Sequence, residues 1–187
     1  GPDAAGDGHA LSTLLAESAA TVMQATPATW QLLLDAGWQG APGFTALCGG
    51  EALPPELAAR LLRACDEVWN LYGPTETTIW STCARIAAAP QPPDIHIGRP
   101  IANTRVWIVD AGGELCPLGV PGEICIGGEG VALGYLHRPE LTAQRFVADR
   151  FSDWGAGETT PREPRLYRTG DRGRWRVDGE LEHLGRL

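Results

Sequence analysis

A chain of 187 residues in which 43% of the side chains are hydrophobic and 20% charged is long enough for one large or two small cores, and too apolar for its charge to stay disordered. Its net charge of −8 argues against non-specific binding to nucleic acid or to an anionic membrane. All 15 basic residues are arginine, so a reaction that needs a catalytic lysine cannot be completed within these residues.

The first half alternates helix-like and strand-like segments. Residues 8–18 place Leu11, Leu14 and Leu15 on one face of an amphipathic helix. A short strand is expected at Ala20–Gln24. Thr26-Pro27 then starts a helix that runs to about Ala36, before Gly37. Phe44–Cys48 reads as a strand, Pro54-Pro55 opens a helix reaching about Cys65, and Glu67–Leu71 reads as a third strand. This order predicts a layered α/β unit with parallel strands over residues 1–95. Prolines 90, 92 and 93 mark the boundary.

Residues 96–187 change character, to short strands punctuated by glycine. Strands are expected at Thr104–Val109 and Gly122–Ile126, and one helix at about Glu140–Val147 after Pro139. Arg174–Val177, Asp178-Gly179 and Glu180–Leu184 read as a hairpin on a type I′ turn. The segment 155–164 reads as a polar loop. The whole suggests a β-rich barrel or sandwich. No apolar run approaches the roughly 18 residues of a spanning helix. No leader pattern opens the sequence, and Gly1-Pro2 fits a cleavage scar. The five cysteines (48, 65, 83, 116 and 125) are odd in number, widely spaced and without a C-x-x-C pair. That fits reduced, buried thiols in a cytoplasmic protein better than disulfides or a zinc site.

Three segments carry candidate chemistry. Asn70-Leu71-Tyr72-Gly73-Pro74-Thr75-Glu76-Thr77-Thr78 follows directly on a strand, where ligands gather in α/β sheets. Its turn presents an aromatic ring for a base, hydroxyls for phosphate oxygens and a carboxylate for Mg²⁺. The same residues also suit a turn that merely caps a helix. Gly122–Gly130, followed by Gly134-Tyr135, is glycine-rich but has neither the dinucleotide nor the P-loop spacing, and suits tight turns between strands. In Tyr167-Arg168-Thr169-Gly170-Asp171, an aspartate after a glycine turn could accept from ribose hydroxyls or simply sit at the surface.

Taken in order, these segments, with the intervening Arg-Pro-Glu-Leu-Thr and Arg-Phe and the final Leu-Gly-Arg, resemble the adenylate-forming superfamily. Within it they resemble the amino-acid adenylation domains of nonribosomal peptide synthetases, over about residues 10–187. The resemblance implies a flavodoxin-like α/β subdomain followed by a smaller distorted β-barrel. It implies adenine against Tyr72 in the Gly73 turn, with Asn70 at its amino edge. Gly50, Glu51 and Ala52 would run along the adenine face, Thr75 would meet the α-phosphate and Glu76 would hold Mg²⁺. Asp171 would bind the ribose hydroxyls, with Arg186 and His183 nearby. The amino-acid pocket would include Gln24, Leu47, Gly49, Leu71, Ile79 and Trp80, a set without acid or base that suits a neutral side chain.

The resemblance further implies ATP or AMP and Mg²⁺ as ligands, an amino acid as substrate and a phosphopantetheinyl carrier protein as partner, with neither nucleic acid nor membrane. The family's phosphate loop and its C-terminal lysine have no counterpart in these residues. The chain is therefore expected to be a piece of an amino-acid-activating enzyme, inactive without the remainder of the adenylation domain. The alternatives are a piece of an acyl- or aryl-CoA ligase, or an excised subdomain with a structural or binding role.

Overall fold

A computed structural model describes residues 6–87, 94–151 and 164–187. The prolines at 90, 92 and 93, Gly1-Pro2 and all but Pro164 of the 155–164 loop lie outside the described residues. The chain divides into two compact units: Gly1–Leu71 with Ala84–His96, and Tyr72–Cys83 with Ile97–Leu187.

In the first unit, α1 (Gly8–Ser18) begins where Asp7 accepts from the backbone N–H groups of His9 and Ala10 and ends at Ala19 in the left-handed region. The strand β1 is Val22–Ala25, which starts later than the apolar run suggested; just before it, the Thr21 carbonyl accepts from the N–H of Thr45. Helix α2 (Pro27–Asp35) is capped by the Thr26 hydroxyl and has Pro27 in its first turn, where a missing N–H costs nothing. β2 (Thr45–Gly49), α3 (Pro55–Ala64) and β3 (Glu67–Tyr72) follow. β1, β2 and β3 are parallel, in that spatial order. The N–H of Ile86, just after β4 (Thr82–Arg85), reaches the Val68 carbonyl.

Alternation splits the strands into two faces. Ala46, Cys48 and Val68 point into a core with Leu11, Trp30, Leu33, Phe44, Leu57 and Leu61. Trp30, Trp38 and Phe44 meet there at ring-centroid distances of 5.1 to 6.4 Å. Helix α3 is strongly sided, with Leu57, Ala58 and Leu61 buried.

The second unit is antiparallel. β5 (Arg99–Pro100) pairs with the start of β4. A second sheet contains β6 (Thr104–Val109), β7 (Gly122–Gly128), β8 (Phe146–Ala148), β9 (Arg165–Trp175) and β10 (Leu181–Arg186). Its order is β10-β9-β7-β6, an open path with β8 also on β9. β7 is buried along almost its whole length because both faces are covered. Val106, Ile108, Ile124, Ile126 and Leu181 pack on one side; Val109, Cys125 and Leu166 pack on the other. A strand covered on both faces shows a continuous apolar run instead of alternation.

Three local expectations are corrected. The helix α4 is Pro139–Arg145, because Phe146 leaves it for β8, where its ring stands 5.1 Å from that of Tyr167. Gly170-Asp171 is not a turn but the middle of the eleven-residue strand β9. The hairpin at 176–180 is not type I′: Gly179 alone of the Asp-Gly pair has positive φ, at 80°. The N–H of Gly179 reaches the Arg176 carbonyl and that of Arg176 reaches Glu180, the pattern of a three-residue loop closed by a left-handed glycine.

Candidate functional site

The residues singled out by the sequence form three local arrangements. On the first unit, strand register sets Gln24 beside Leu47, Leu47 beside Trp69, and Gly49 beside Leu71. These residues share the sheet face opposite the core. Trp69 was not anticipated; its place two residues before Leu71 was the available signal. The Trp30 indole braces this row from behind, donating to the Leu47 carbonyl at 3.2 Å. Gly50, Glu51 and Ala52 leave the carboxyl end of β2 as an exposed loop, with Gly50 at φ 92°. Asn70 alternates to the other face, is 4% exposed and donates through Nδ2 to the His96 carbonyl at 2.9 Å. The structure does not bring it onto the face of Leu47 and Leu71.

On the second unit, Tyr72–Cys83 folds into a tight hook. The N–H of Ser81 returns to the Tyr72 carbonyl, and the Thr77 and Ser81 hydroxyls meet at 2.6 Å. Gly73 is required sterically, since a Cβ there would lie 2.6 Å from both the Ile79 carbonyl oxygen and the Ser81 nitrogen. Gly73→Ala is therefore expected to destabilise the second unit by about 1–3 kcal/mol, measurable as a lower urea midpoint at unchanged slope. Thr75–Thr77 make one 3₁₀ turn without a side-chain cap, against the capping reading. Thr75 is exposed. Thr78 and Ile79 both have positive φ, at 62° and 71°; for a β-branched residue such as Ile79 this is strained backbone. Ile79 is 58% exposed, and Trp80 is half-buried beside it.

The glutamate of this hook is fixed by two tyrosines. Tyr135 donates its hydroxyl to Glu76 Oε1 at 2.6 Å and stands 3.2 Å from the Tyr167 hydroxyl. Burial works against the charge on Glu76. The Tyr135 hydroxyl, its own backbone N–H and Tyr167 outweigh burial and hold the carboxyl below its usual range.

The third arrangement surrounds Asp171. Between the pairs Cys125–Arg168 and Glu123–Arg172, β9 carries three residues opposite Ile124 alone, so the strand bulges at Gly170, φ 73°. Glu123 secures the bulge: its Oε1 accepts from the Gly170 N–H at 3.0 Å and its Oε2 from Arg168 at 2.5 and 2.9 Å. Asp171 thereby faces Arg186 across β10. Its Oδ1 accepts from Arg186 Nη1 at 2.7 Å and its Oδ2 from the Tyr72 hydroxyl at 2.6 Å. The His183 ring lies 5.6 Å from the Tyr72 ring. Its Nδ1 accepts from the Gly185 N–H, which puts the proton on Nε2, 3.8 Å from Asp171 Oδ1. Burial opposes ionisation of Asp171, but His183, Tyr72 and Arg186 outweigh it and hold the carboxyl below its usual range.

Among the described residues no group of three or more His, Cys, Asp or Glu side chains could hold a metal ion, and no helix is long and apolar enough to cross a membrane. All five cysteines are free. Burial pushes the Cys48 and Cys125 thiols up to about 12 and that of Cys65 to about 11, which leaves them without thiolate character at neutral pH.

The family described as AMP-binding enzyme matches residues 2–136. A dimodular nonribosomal peptide synthase of Bacillus subtilis (strain 168) is 45% identical over 180 residues, which is 95% of this chain and 7% of that protein. Among solved structures, holo-AB3403, a four-domain nonribosomal peptide synthetase bound to AMP and glycine, superposes with a TM-score of 0.86 at 46% identity, over 99% of this chain and 13% of that one. PA1221, a nonribosomal peptide synthetase protein containing adenylation and PCP domains, gives a TM-score of 0.82 at 31% identity, over 96% and 36%. The chain thus spans a small part of each of these relatives. Matched over most of its length and sharing their α/β architecture, it belongs to the AMP-binding enzyme family.

Proposed function

We propose that this chain is the part of an amino-acid adenylation enzyme that carries most of its nucleotide contacts. The reaction is attack of an amino-acid carboxylate on the α-phosphate of ATP, giving aminoacyl-AMP and pyrophosphate. The acyl group then passes to the thiol of a phosphopantetheinyl carrier protein. The observation that carries this reading is the arrangement at Asp171: a buried, ionised carboxylate joined to a tyrosine hydroxyl and an arginine, with an imidazole alongside. Tyr72 and Arg186 each take a position on a different oxygen, and a carboxylate has about four acceptor positions, so ribose hydroxyls can join without displacing either. Tyr72 would offer its ring to adenine, with Gly50, Glu51, Ala52 and Asn70 as further contacts. Gln24, Leu47, Gly49, Leu71, Ile79 and Trp80 would select a neutral side chain, since none of them could compensate a charge.

Glu76 fits Mg²⁺ in one specific way. A single ionised carboxylate beside the exposed Thr75 hydroxyl suits an ion carried in on nucleotide phosphates better than a protein cage. When bound, Mg²⁺ would neutralise phosphate charge; Thr75 would contact the α-phosphate, and the fixed geometry of Asp171 and Tyr72 would orient the nucleoside. Catalysis then rests on positioning and charge neutralisation.

ATP–pyrophosphate exchange by the adenylation protein containing these residues tests the reading. Exchange is expected with neutral amino acids, whereas exchange with simple carboxylic acids alone would replace the reading by an acyl-CoA ligase. The 187-residue chain by itself is expected to show no amino-acid-dependent exchange, because it contains neither a lysine nor a glycine- and serine-rich phosphate loop.

A further inference from the structure

The glycine-rich segment after β7 has no role in the reading above, yet it is built onto the Thr75–Thr78 hook at several points. The Ala132 N–H donates to the Glu76 carbonyl at 2.8 Å. The Thr78 hydroxyl donates to the Gly130 carbonyl at 2.7 Å. Gly130 must be glycine for this approach, because a Cβ would lie 2.8 Å from the Thr77 carbonyl oxygen. Four residues on, Gly134 takes φ 143° against Thr142 of α4, whose hydroxyl accepts from the Tyr135 N–H at 2.9 Å. The Tyr135 ring then packs edge-on against Phe146, 5.4 Å away at 71°. Backbone, ring and hydroxyl of Tyr135 are thus each tied down, and the hydroxyl ends on Glu76 Oε1.

We infer that Tyr135 is a positioning residue for Glu76, fixing the carboxylate through Oε1 so that Oε2 stays available to a divalent cation. The inference rests on the reading of Glu76 as the magnesium carboxylate. The glycine-rich segment is then the frame that carries the tyrosine to the hook, not a phosphate cradle. Partners that orient a metal-ligating carboxylate typically change metal affinity 10–100-fold when removed. Tyr167, whose hydroxyl meets that of Tyr135 at 3.2 Å, also hydrogen-bonds Glu76 and supports the same carboxylate.

The test uses the 187-residue chain and Mn²⁺ alone as the probe, read by paramagnetic broadening of backbone amide signals. In the wild-type chain, signals of residues 75–78 are expected to broaden selectively, and Glu76→Gln should abolish this. Tyr135→Phe keeps the ring packing on Phe146 and is expected to need roughly 10-fold more Mn²⁺ for the same broadening, with the signals of β6 and β7 unchanged. Thr142→Val, which loosens the Tyr135 backbone but retains the hydroxyl, is expected to give a smaller shift in the same direction, and decides the matter if Tyr135→Phe does not fold. Equal Mn²⁺ dependence in the wild-type chain and Tyr135→Phe, or in the wild-type chain and Thr142→Val where that variant decides, overturns the positioning role while leaving Glu76 as the ligand. Broadening that survives Glu76→Gln, or none in the wild-type chain, overturns the magnesium reading and the inference with it.

Discussion

Replacing Trp30 by alanine is expected to cost the first unit about 3–5 kcal/mol, the range for deleting a fully buried large aromatic ring. Trp30 is 0% exposed, meets Trp38 and Phe44 ring to ring, and donates to the Leu47 carbonyl. The substitution therefore leaves a cavity at the centre of the core and an acceptor without its partner on β2. Domains of this size have about 5–15 kcal/mol in total, so the variant should sit near its unfolding threshold at 37 °C. Hydrogen exchange locates the effect: amides of β1, β2 and β3 should lose protection first. Trp30→Phe keeps most of the apolar volume and loses mainly the indole N–H, and should cost about 1–2 kcal/mol. A loss below about 1 kcal/mol in the alanine variant would show that the core is not organised around this residue. The strand that Trp30 braces carries Leu47 and Gly49 on the opposite face, so the proposed amino-acid pocket would be loosened along with the core.

How much of this was legible in the sequence depends on the range of the interaction involved. Helices α1, α2 and α3 were readable because their signals are local: Thr26-Pro27 and Pro54-Pro55 as helix starts and leucines at helical spacing; the Asp7 cap of α1 came from the structure. The end of α4 was not, since Phe146 leaves the helix to meet Tyr167 twenty-one residues later. The glycine of Thr-Gly-Asp was read as a turn because glycine at a polar site usually is one. Only the pairing with β7 and β10 reveals a bulge inside a long strand. The Asp-Gly hairpin was found, but its turn type was decided by whether Asp178 would take positive φ, and it does not.

The site shows the same division. Tyr72, Glu76, Asp171 and Arg186 were all named from motif residues, but the partners that hold them came only from the structure. Glu123 and Arg168 stand forty-five positions apart, and their pairing explains why a Gly-Glu strand and a Tyr-Arg-Thr-Gly-Asp strand occur in one chain: the first supplies the carboxylate that shapes the second. Tyr135 reaches Glu76 across fifty-nine positions. For Asn70, motif position suggests a contact at the adenine edge, and period-2 alternation sets it on the face of Val68, opposite to Leu71, where its side chain donates to the His96 carbonyl.

Asp171→Asn is expected to have the largest effect on ligand binding. The change keeps the shape but removes the charge that Arg186 and His183 face, and the side chain it affects is only 10% exposed. Because the Arg186 side chain is itself 69% exposed, solvent offsets part of the loss, and the stability cost should be about 2 kcal/mol. The pH dependence has a definite sign. The Asp171 carboxyl is held below its ordinary value in the folded chain. Its stabilisation is therefore complete above the unfolded carboxylate pKa of about 3.9 and is lost as pH falls through the lower folded value. Chemical unfolding should show the gap between wild type and variant as constant near neutrality and closing below about pH 4. If Asp171 also receives the ribose hydroxyls, the variant should bind AMP roughly 10–100-fold more weakly, the equivalent of one or two hydrogen bonds to a charged acceptor. Calorimetry with 2′,3′-dideoxy-AMP separates this from general damage. The wild-type chain should prefer AMP to the dideoxy analogue, and Asp171→Asn should lose that preference. A variant that binds both nucleotides more weakly by the same factor would leave Asp171 as a structural anchor for Tyr72 and Arg186, and would move ribose recognition elsewhere.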